Sequence, residues 1–267
     1  MGPEADRHAC ERIRQDAIRW VREGGEIALQ RFGRAVTSLK ADRSFVTDAD
    51  HEVQAALLRR IAQRYPSDAV ISEETQREPG SHPAPGTVAR CWVVDPIDGT
   101  RSYARSFPGF CISVALLEAG QPVVGVIYNP LTRQTYSAAA GSGAWYGTQP
   151  MHVRNDTLGS ETLLAIPSRT KRSLPAVVHR WIDTAVVRNL GSTALHLALT
   201  ATGALDAAFA DECRLWDIAA GEIILREAGG RLTSLEGRDY FPVDTATHRD
   251  EVMPFVAGGP RIIEDML

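Results

Sequence analysis

Two carboxylates three residues apart, Asp95 and Asp98 in Asp95-Pro-Ile-Asp-Gly-Thr100, follow the short apolar run Cys91-Trp-Val-Val. The run predicts a buried strand that ends on Asp95. Pro96 holds the chain extended at Asp95 and bars a helix from starting there, so both carboxylates can point into one cleft. Gly99 permits close backbone approach, and Thr100 opens a turn of helix whose free N–H groups favour a phosphate. Carboxylates this close repel each other unless a cation sits between them, and oxygen-only ligation selects Mg²⁺, Mn²⁺ or Ca²⁺ over zinc. Standing alone, an Asp-Pro-x-Asp-Gly segment is more simply a turn. Two further acidic segments shift that balance.

In Val70-Ile-Ser-Glu73-Glu74-Thr another short apolar strand ends on acidic side chains. It would deliver carboxylates to the same sheet edge, although by itself it reads as a solvated strand end. In Leu215-Trp-Asp217-Ile-Ala-Ala-Gly221, Asp217 precedes a helix with Ile218, Ile223, Ile224 and Leu225 apolar, and Ala219, Ala220 and Gly221 allow tight packing. Asp217 reads as an N-cap, a position that can also hold a metal.

The elements that must position these groups follow from periodicity. Residues 4–32 predict one long or two short amphipathic helices, with Gly24-Gly25 as the break, and a second helix follows Asp50 with Val53, Leu57, Leu58 and Ile61 on one face. Residues 76–87, rich in Pro, Gly and Ser, read as an exposed loop. Phe110–Leu117, Val123–Tyr128 and Gln134–Ala138 form an antiparallel meander. Strands at Leu163–Ile166, Val186–Leu190 and Ala207–Ala210 then alternate with helices at Leu174–Thr184, Thr193–Thr202 and Asp217–Ala228. Arg231–Ser234 and Val252–Ala257 close the chain as strands. This alternation implies an α/β (α+β) fold with sheets covered by helix layers. A seam near residue 147 separates an N-terminal α+β lobe, 1–146, from a C-terminal α/β lobe, 147–267, within one continuous body.

Length and composition narrow the class. The 267 residues are 44% hydrophobic, enough for a sizeable core. The net charge of −4 offers no overall attraction for nucleic acid or anionic lipid, so neither is expected as a partner. No apolar stretch is long enough to span a bilayer, and the first residues lack a secretory pattern, so a cytoplasmic protein is expected. Cys10, Cys91, Cys111 and Cys213 have no paired spacing and read as reduced packing residues. His51-Glu52 lacks a second zinc-binding histidine, and Gly141 to Gly147 reads as a hairpin end rather than a dinucleotide loop. No P-loop and no Gly-x-Ser-x-Gly elbow are present.

Taken together, Ser72-Glu73-Glu74, Trp92-Val-Val-Asp95-Pro-Ile-Asp98-Gly-Thr100 and Trp216-Asp217-Ile-Ala-Ala-Gly221 closely resemble the inositol monophosphatase family of lithium-sensitive, magnesium-dependent phosphatases. The match runs in order from about Lys40 to Arg231. The resemblance implies a layered alternating αβαβα sandwich, commonly a homodimer. It implies two or three Mg²⁺ per site, replaceable by Mn²⁺ or Ca²⁺ and inhibited by Li⁺. It makes Glu73, Asp95, the Ile97 carbonyl, Asp98 and Asp217 the metal ligands, with Asp98, Gly99, Thr100 and Asp217 on the substrate. Asp50, otherwise a helix N-cap, would pair with Thr100 to orient the attacking water, Glu73 would share in the catalysis, and Lys40 falls where the family has an active-site loop lysine. Two metals about 3.5–4 Å apart would lower the pKa of a bound water and stabilise the leaving alkoxide in an in-line displacement.

Departures bear on the substrate. Ala210 stands where inositol-selective members carry a ring-binding glutamate, and moving Asp211 or Glu212 into its place would require a strand shift that turns side chains to the other face. Ser72 replaces the usual glycine. Gly191, Ser192 and Thr193 occupy the family's substrate-contacting turn, or are ordinary capping. Ser168 and Arg169 follow a strand toward the same rim, where the arginine could hold a second phosphate. The expected partner is a small phosphorylated metabolite, with inositol 1-phosphate leading. Histidinol phosphate and 3′-phosphoadenosine 5′-phosphate are rivals, and a non-catalytic metal-binding dimer is the reading from another class.

Overall fold

A computed structural model describes residues 3–39, 45–76, 89–168, 174–248 and 250–267. Lys40, Arg169 and all but the first residue of the 76–87 loop lie outside the described residues.

The chain opens with one helix, α1 (Pro3–Arg31), which runs unbroken through Gly24-Gly25. A Cβ on Gly25 would fall 2.5 Å from Tyr128 Cε1, and one on Gly24 3.1 Å from Val53 Cγ1. The glycines therefore bring the helix close to its neighbours instead of dividing it. The short strands β1 (Thr37–Leu39) and β2 (Phe45–Thr47) pair antiparallel, and neither is evident from periodicity. In α2 (Asp48–Arg64) the buried face is Val53, Leu57 and Ile61, as the spacing predicts. Thr47 is its N-cap, which places Asp50 at the third helical position and corrects the capping assignment.

A seven-stranded sheet follows. In spatial order it runs β3 (Ala69–Ser72), β4 (Arg90–Asp98), β5 (Cys111–Glu118), β6 (Gln121–Asn129), β7 (Gln134–Ala139), β8 (Ala144–Tyr146) and β9 (Gln149–Pro150). Only the β3–β4 pair is parallel. Two short helices, α3 (Glu73–Gln76) and α4 (Thr100–Ala104), leave the ends of β3 and β4. The second sheet is ordered β11 (Val186–Arg188), β10 (Leu163–Ala165), β12 (Ala207–Ala210), β14 (Phe255–Gly258) and β13 (Arg231–Thr233). Its helices are α5 (Ala176–Thr184), α6 (Thr193–Ala201), α7 (Leu215–Glu227) and α8 (Pro260–Met266), the last not expected from sequence.

Strand alternation sorts the core into three apolar layers. Trp92, Val94, Ile112 and Val114 pack under α1 and α2. Cys91, Val93, Cys111 and Ala115, on the opposite face, pack with α6 and α7 against Ala208, Ala210, Phe255 and Ala257 of the second sheet. Ala207, Phe209 and Val256 turn outward to α5 and α8. The result is an αβαβα sandwich, the layered fold the resemblance implied. Trp181 meets Phe209 edge-on at 5.8 Å, which ties β12 to its register and keeps Ala210, not Asp211, on the inner face. None of the described helices is long and apolar enough to cross a membrane.

The central helix α7 packs closely on the first sheet at Gly125. A Cβ on Gly125 of β6 would lie 2.5 Å from Ile223 Cγ2 and 2.6 Å from the Ala220 carbonyl, and one on Gly221 2.4 Å from Leu197 Cδ1. Gly125→Ala forces backbone apart and is expected to destabilise the fold by about 1–3 kcal/mol. Urea or thermal denaturation measures it, and an unchanged melting temperature would show that α7 can retreat without loss.

Candidate metal centre

In a regular strand, residues three apart face opposite sides of the sheet. Asp95 and Asp98 escape this through a break in the β4–β5 ladder. Asp95 pairs with Ser113 and Asp98 with Cys111, so Pro96 and Ile97 together oppose Ile112 alone. The extra residue is a bulge, and Pro96, which has no N–H to give, suits it. Ser113 and Cys111 are two apart on β5, so their partners share one face, the face covered by α6 and α7. β4 therefore does not stop at Asp95, as the apolar run suggested, but continues through the bulge to Asp98.

Other carboxylates converge from three elements. β3 lies parallel beside β4 with Ser72 opposite Val94, which brings Glu73, the first residue of α3, beside Asp95. Asp217 is the third residue of α7, not its cap, and its Oδ2 accepts the Arg214 N–H at 2.6 Å. One carboxylate oxygen each from Asp95, Asp98 and Asp217 lie within 4.8 Å of one another. Asp50 comes up from α2, its Oδ2 accepting from Thr47 N at 2.8 Å and Thr47 Oγ1 at 2.6 Å. Thr100 Oγ1 lies 3.3 Å from Asp50 Oδ1 and 3.0 Å from the buried Ile97 carbonyl, so it links the helix carboxylate to the bulge.

The electrostatics are those of crowded acids out of water. Burial, and then the charges of Glu73, Asp98, Asp217 and Asp50, push the Asp95 carboxyl well above its ordinary value. Its Oδ1 is buried without a hydrogen-bond partner. Burial pushes Asp98 up to about 6, against the pull of the Ser192 hydroxyl and the Ala194 N–H, and burial pushes Asp50 to about 7. An orphaned oxygen in a set of oxygen-only donors fits a hard divalent cation.

The rim is built by close backbone contacts. Gly99 turns β4 into α4 at φ +92°, and a Cβ there would lie 2.5 Å from Gly109 O and 2.9 Å from Gly191 O. Gly191 lies equally close to Ser102. Ser192 caps α6 by accepting the Leu195 N–H at 3.1 Å, and its hydroxyl donates to Asp98 Oδ2 at 2.7 Å, where Ala194 N–H also donates at 2.5 Å. Thr193 begins α6. Ser168 Oγ donates to Asn189 Oδ1, which also accepts the Gly191 N–H, each at 2.9 Å.

The structure thus brings together Asp50, Glu73, Asp95, Ile97, Asp98, Gly99, Thr100, Ser192 and Asp217, and sets Ser168 on the rim. Two supports were not read from the sequence. Asn189, two residues before Gly191, makes a side-chain turn that Asn-Leu-Gly could have signalled. His196 Nε2 accepts the Leu190 N–H at 2.9 Å, and burial pushes that ring down to about 4, so it stays neutral and pins the turn.

The model of the inositol monophosphatase family matches residues 10–258. A curated relative, Nus factor SuhB of Pasteurella multocida, is 32% identical over 260 residues, covering 94% of this chain and 92% of its own. The solved structure of an IMPase from Thermotoga maritima superposes with a TM-score of 0.80 at 27% identity, covering 94% of this chain and 93% of that one. SaIMPase-II with inositol monophosphate bound gives 0.77 at 26% identity over 94% and 90%, and with 2′AMP bound 0.78 at 25% over 96% and 92%.

Raised carboxyls have a measurable consequence in metal-free protein. With Asp98 near 6 and Asp50 near 7, against about 4 in the unfolded chain, the native state holds protons that the unfolded state lacks. That stabilisation is complete below the unfolded value and is lost as pH rises through about 6 to 7. In EDTA, calorimetry is expected to show the melting temperature falling between about pH 4 and 7, and saturating Mg²⁺ is expected to abolish the fall. A flat or rising profile in EDTA would show that these carboxyls titrate normally.

Proposed function

The chain belongs to the inositol monophosphatase family of metal-dependent phosphatases, and on that premise we propose that it hydrolyses a small phosphomonoester with Mg²⁺, inositol 1-phosphate foremost. One observation carries the chemistry: the convergence of Asp95, Asp98 and Asp217 around the unpartnered Asp95 Oδ1. Glu73 and the Ile97 carbonyl complete the ligand set. Bound there, Mg²⁺ supplies a Lewis acid for the phosphoryl oxygens and lowers the pKa of the attacking water.

The chain's own groups do the rest. With the Ile97 carbonyl committed to a metal, the one Thr100 hydrogen would go to Asp50 Oδ1 at 3.3 Å instead of Ile97 O at 3.0 Å, which leaves an Oγ1 lone pair to take a proton from water. Backbone groups of Gly99 and Thr100 face the phosphate, where the Gly109 and Gly191 carbonyls leave no room for a side chain at 99. Ser192 acts through Asp98, whose orientation it fixes, and Gly191 and Thr193 flank it on the substrate side. Lys40 and Arg169 belong to the same reading as substrate contacts, and both lie outside the described residues. A homodimer, a cytoplasmic location and lithium inhibition belong to the same proposal.

A nucleotide substrate is the second reading. Ala210 is buried in the apolar layer between the sheets and presents no carboxylate to a sugar ring. SaIMPase-II, similar over nearly the whole chain, has been solved with inositol monophosphate and with 2′AMP.

A panel of inositol 1-phosphate, histidinol phosphate and 3′-phosphoadenosine 5′-phosphate with Mg²⁺ separates these readings. Turnover of inositol 1-phosphate with the highest kcat/KM is expected, and turnover of none would overturn the substrate class. Asp95→Asn is expected to reduce kcat by about two to three orders of magnitude, on the scale of losing a principal electrostatic group. Mg²⁺-dependent melting without turnover of any ester would instead identify a metal-binding protein that lacks catalysis.

A further inference from the structure

The Ser192 hydroxyl has one hydrogen and two lone pairs, and three groups crowd around it. Leu195 N–H donates to Oγ at 3.1 Å, Asp98 Oδ2 lies at 2.7 Å, and Cys111 Sγ lies at 3.3 Å. A carboxylate oxygen only accepts, and Asp98 Oδ2 also takes the Ala194 N–H. The serine's hydrogen is therefore committed to Asp98. Toward Cys111 its oxygen has a lone pair and nothing to donate.

We propose that Cys111 is a positioning residue for Asp98: its S–H donates to Ser192 Oγ, locks the hydroxyl rotor and so keeps the serine's hydrogen on the ligand carboxylate. The geometry comes from the sheet itself. Cys111 opens β5 directly opposite Asp98 in the ladder, beyond the bulge, so one register sets the thiol and the carboxylate together. Cys111 is fully buried, and a buried thiol beside carboxylates keeps its hydrogen. Alanine at 111 would leave a lone pair of Ser192 Oγ without a donor in a site shut off from solvent, and free the hydroxyl to turn away. Serine at 111 retains a donor. The thiol is closed off from any cleft, so its effect passes through Ser192 to Asp98, and it rests on the reading of Asp98 as a metal ligand.

Two measurements test this. In infrared spectra of the metal-free protein, the S–H stretching band that disappears in Cys111→Ala is expected to move to higher frequency in Ser192→Ala, where its acceptor is gone. A band that stays in place overturns the donation. In calorimetric Mg²⁺ titrations, Cys111→Ala is expected to bind about three- to tenfold more weakly than the parent, and Cys111→Ser within about twofold of it. Metal-free melting temperatures should be alike. Equal weakening in both variants, or none in Cys111→Ala, overturns the positioning role. If Cys111→Ala does not fold, the band absent from Cys111→Ser identifies the thiol and the infrared result decides. A parent chain that binds no Mg²⁺ overturns the function proposed above, while the infrared result still judges the thiol bond separately.

Discussion

Mutual repulsion among buried carboxylates is the force this molecule is organised to contain. Asp95, Asp98 and Asp217 bring oxygens within 4.8 Å of one another, and Glu73 and Asp50 add their charge to the same place. Left to itself, such a cluster would open to water or take up protons, and the raised carboxyls of Asp50, Asp95 and Asp98 show the second response. What prevents the first is that each carboxylate sits on an element whose position is fixed elsewhere. Asp95 and Asp98 are on a central strand, Asp50 and Asp217 are in the first turns of two helices packed on opposite faces of the same sheet, and Glu73 opens the short helix that follows the neighbouring parallel strand.

The packing explains how much strain those elements can resist. Ile223 and the Ala220 carbonyl of α7 close on Gly125 of β6, and the Leu197 side chain of α6 closes on Gly221 of α7, so α7 is seated tightly between its neighbours. The first turn of each helix also offers backbone donors to its carboxylate, Arg214 N–H for Asp217 and Thr47 N–H for Asp50. These bonds favour the ionised form and hold one oxygen of each group, which orients the other.

The motifs were legible because metal ligation needs particular side chains in particular order, and Ser72-Glu73-Glu74, Asp95 to Thr100 and Trp216 to Gly221 retain them. The layered sandwich was legible because strands and helices alternate with the periodicity that two covered sheets require. The bulge was not, because it is a property of the pairing of β4 with β5, and nothing local in Pro96-Ile97 states which residue of another strand they will face. The same limit applies to Ser192. Its capping role is a local signal, whereas its bond to Asp98 joins residues far apart in the chain. Asp50 and Asp217 read as caps because an acidic residue is the local signal of a helix start, whereas each is the third helical residue, three positions past its cap. The glycines in α1 read as a break because propensity penalises them, while Tyr128 and Val53 need the room.

The carboxylate cluster and Ala210 sit on different parts of the fold. The carboxylate cluster belongs to the sheet and to helix starts, where a displaced residue would disturb a packed layer. Ala210 lies at the end of β12, among apolar neighbours between α6, α7 and the second sheet, and carries no bond to Asp95, Asp98 or Asp217. Ala210 is 2% exposed, so a larger side chain there would have to displace its packed neighbours. The rim at Asn189, Gly191 and Ser168 is different, because its Gly191 turn leads straight into Ser192 and hence to Asp98. Substitutions on that side reach the metal site through two hydrogen bonds.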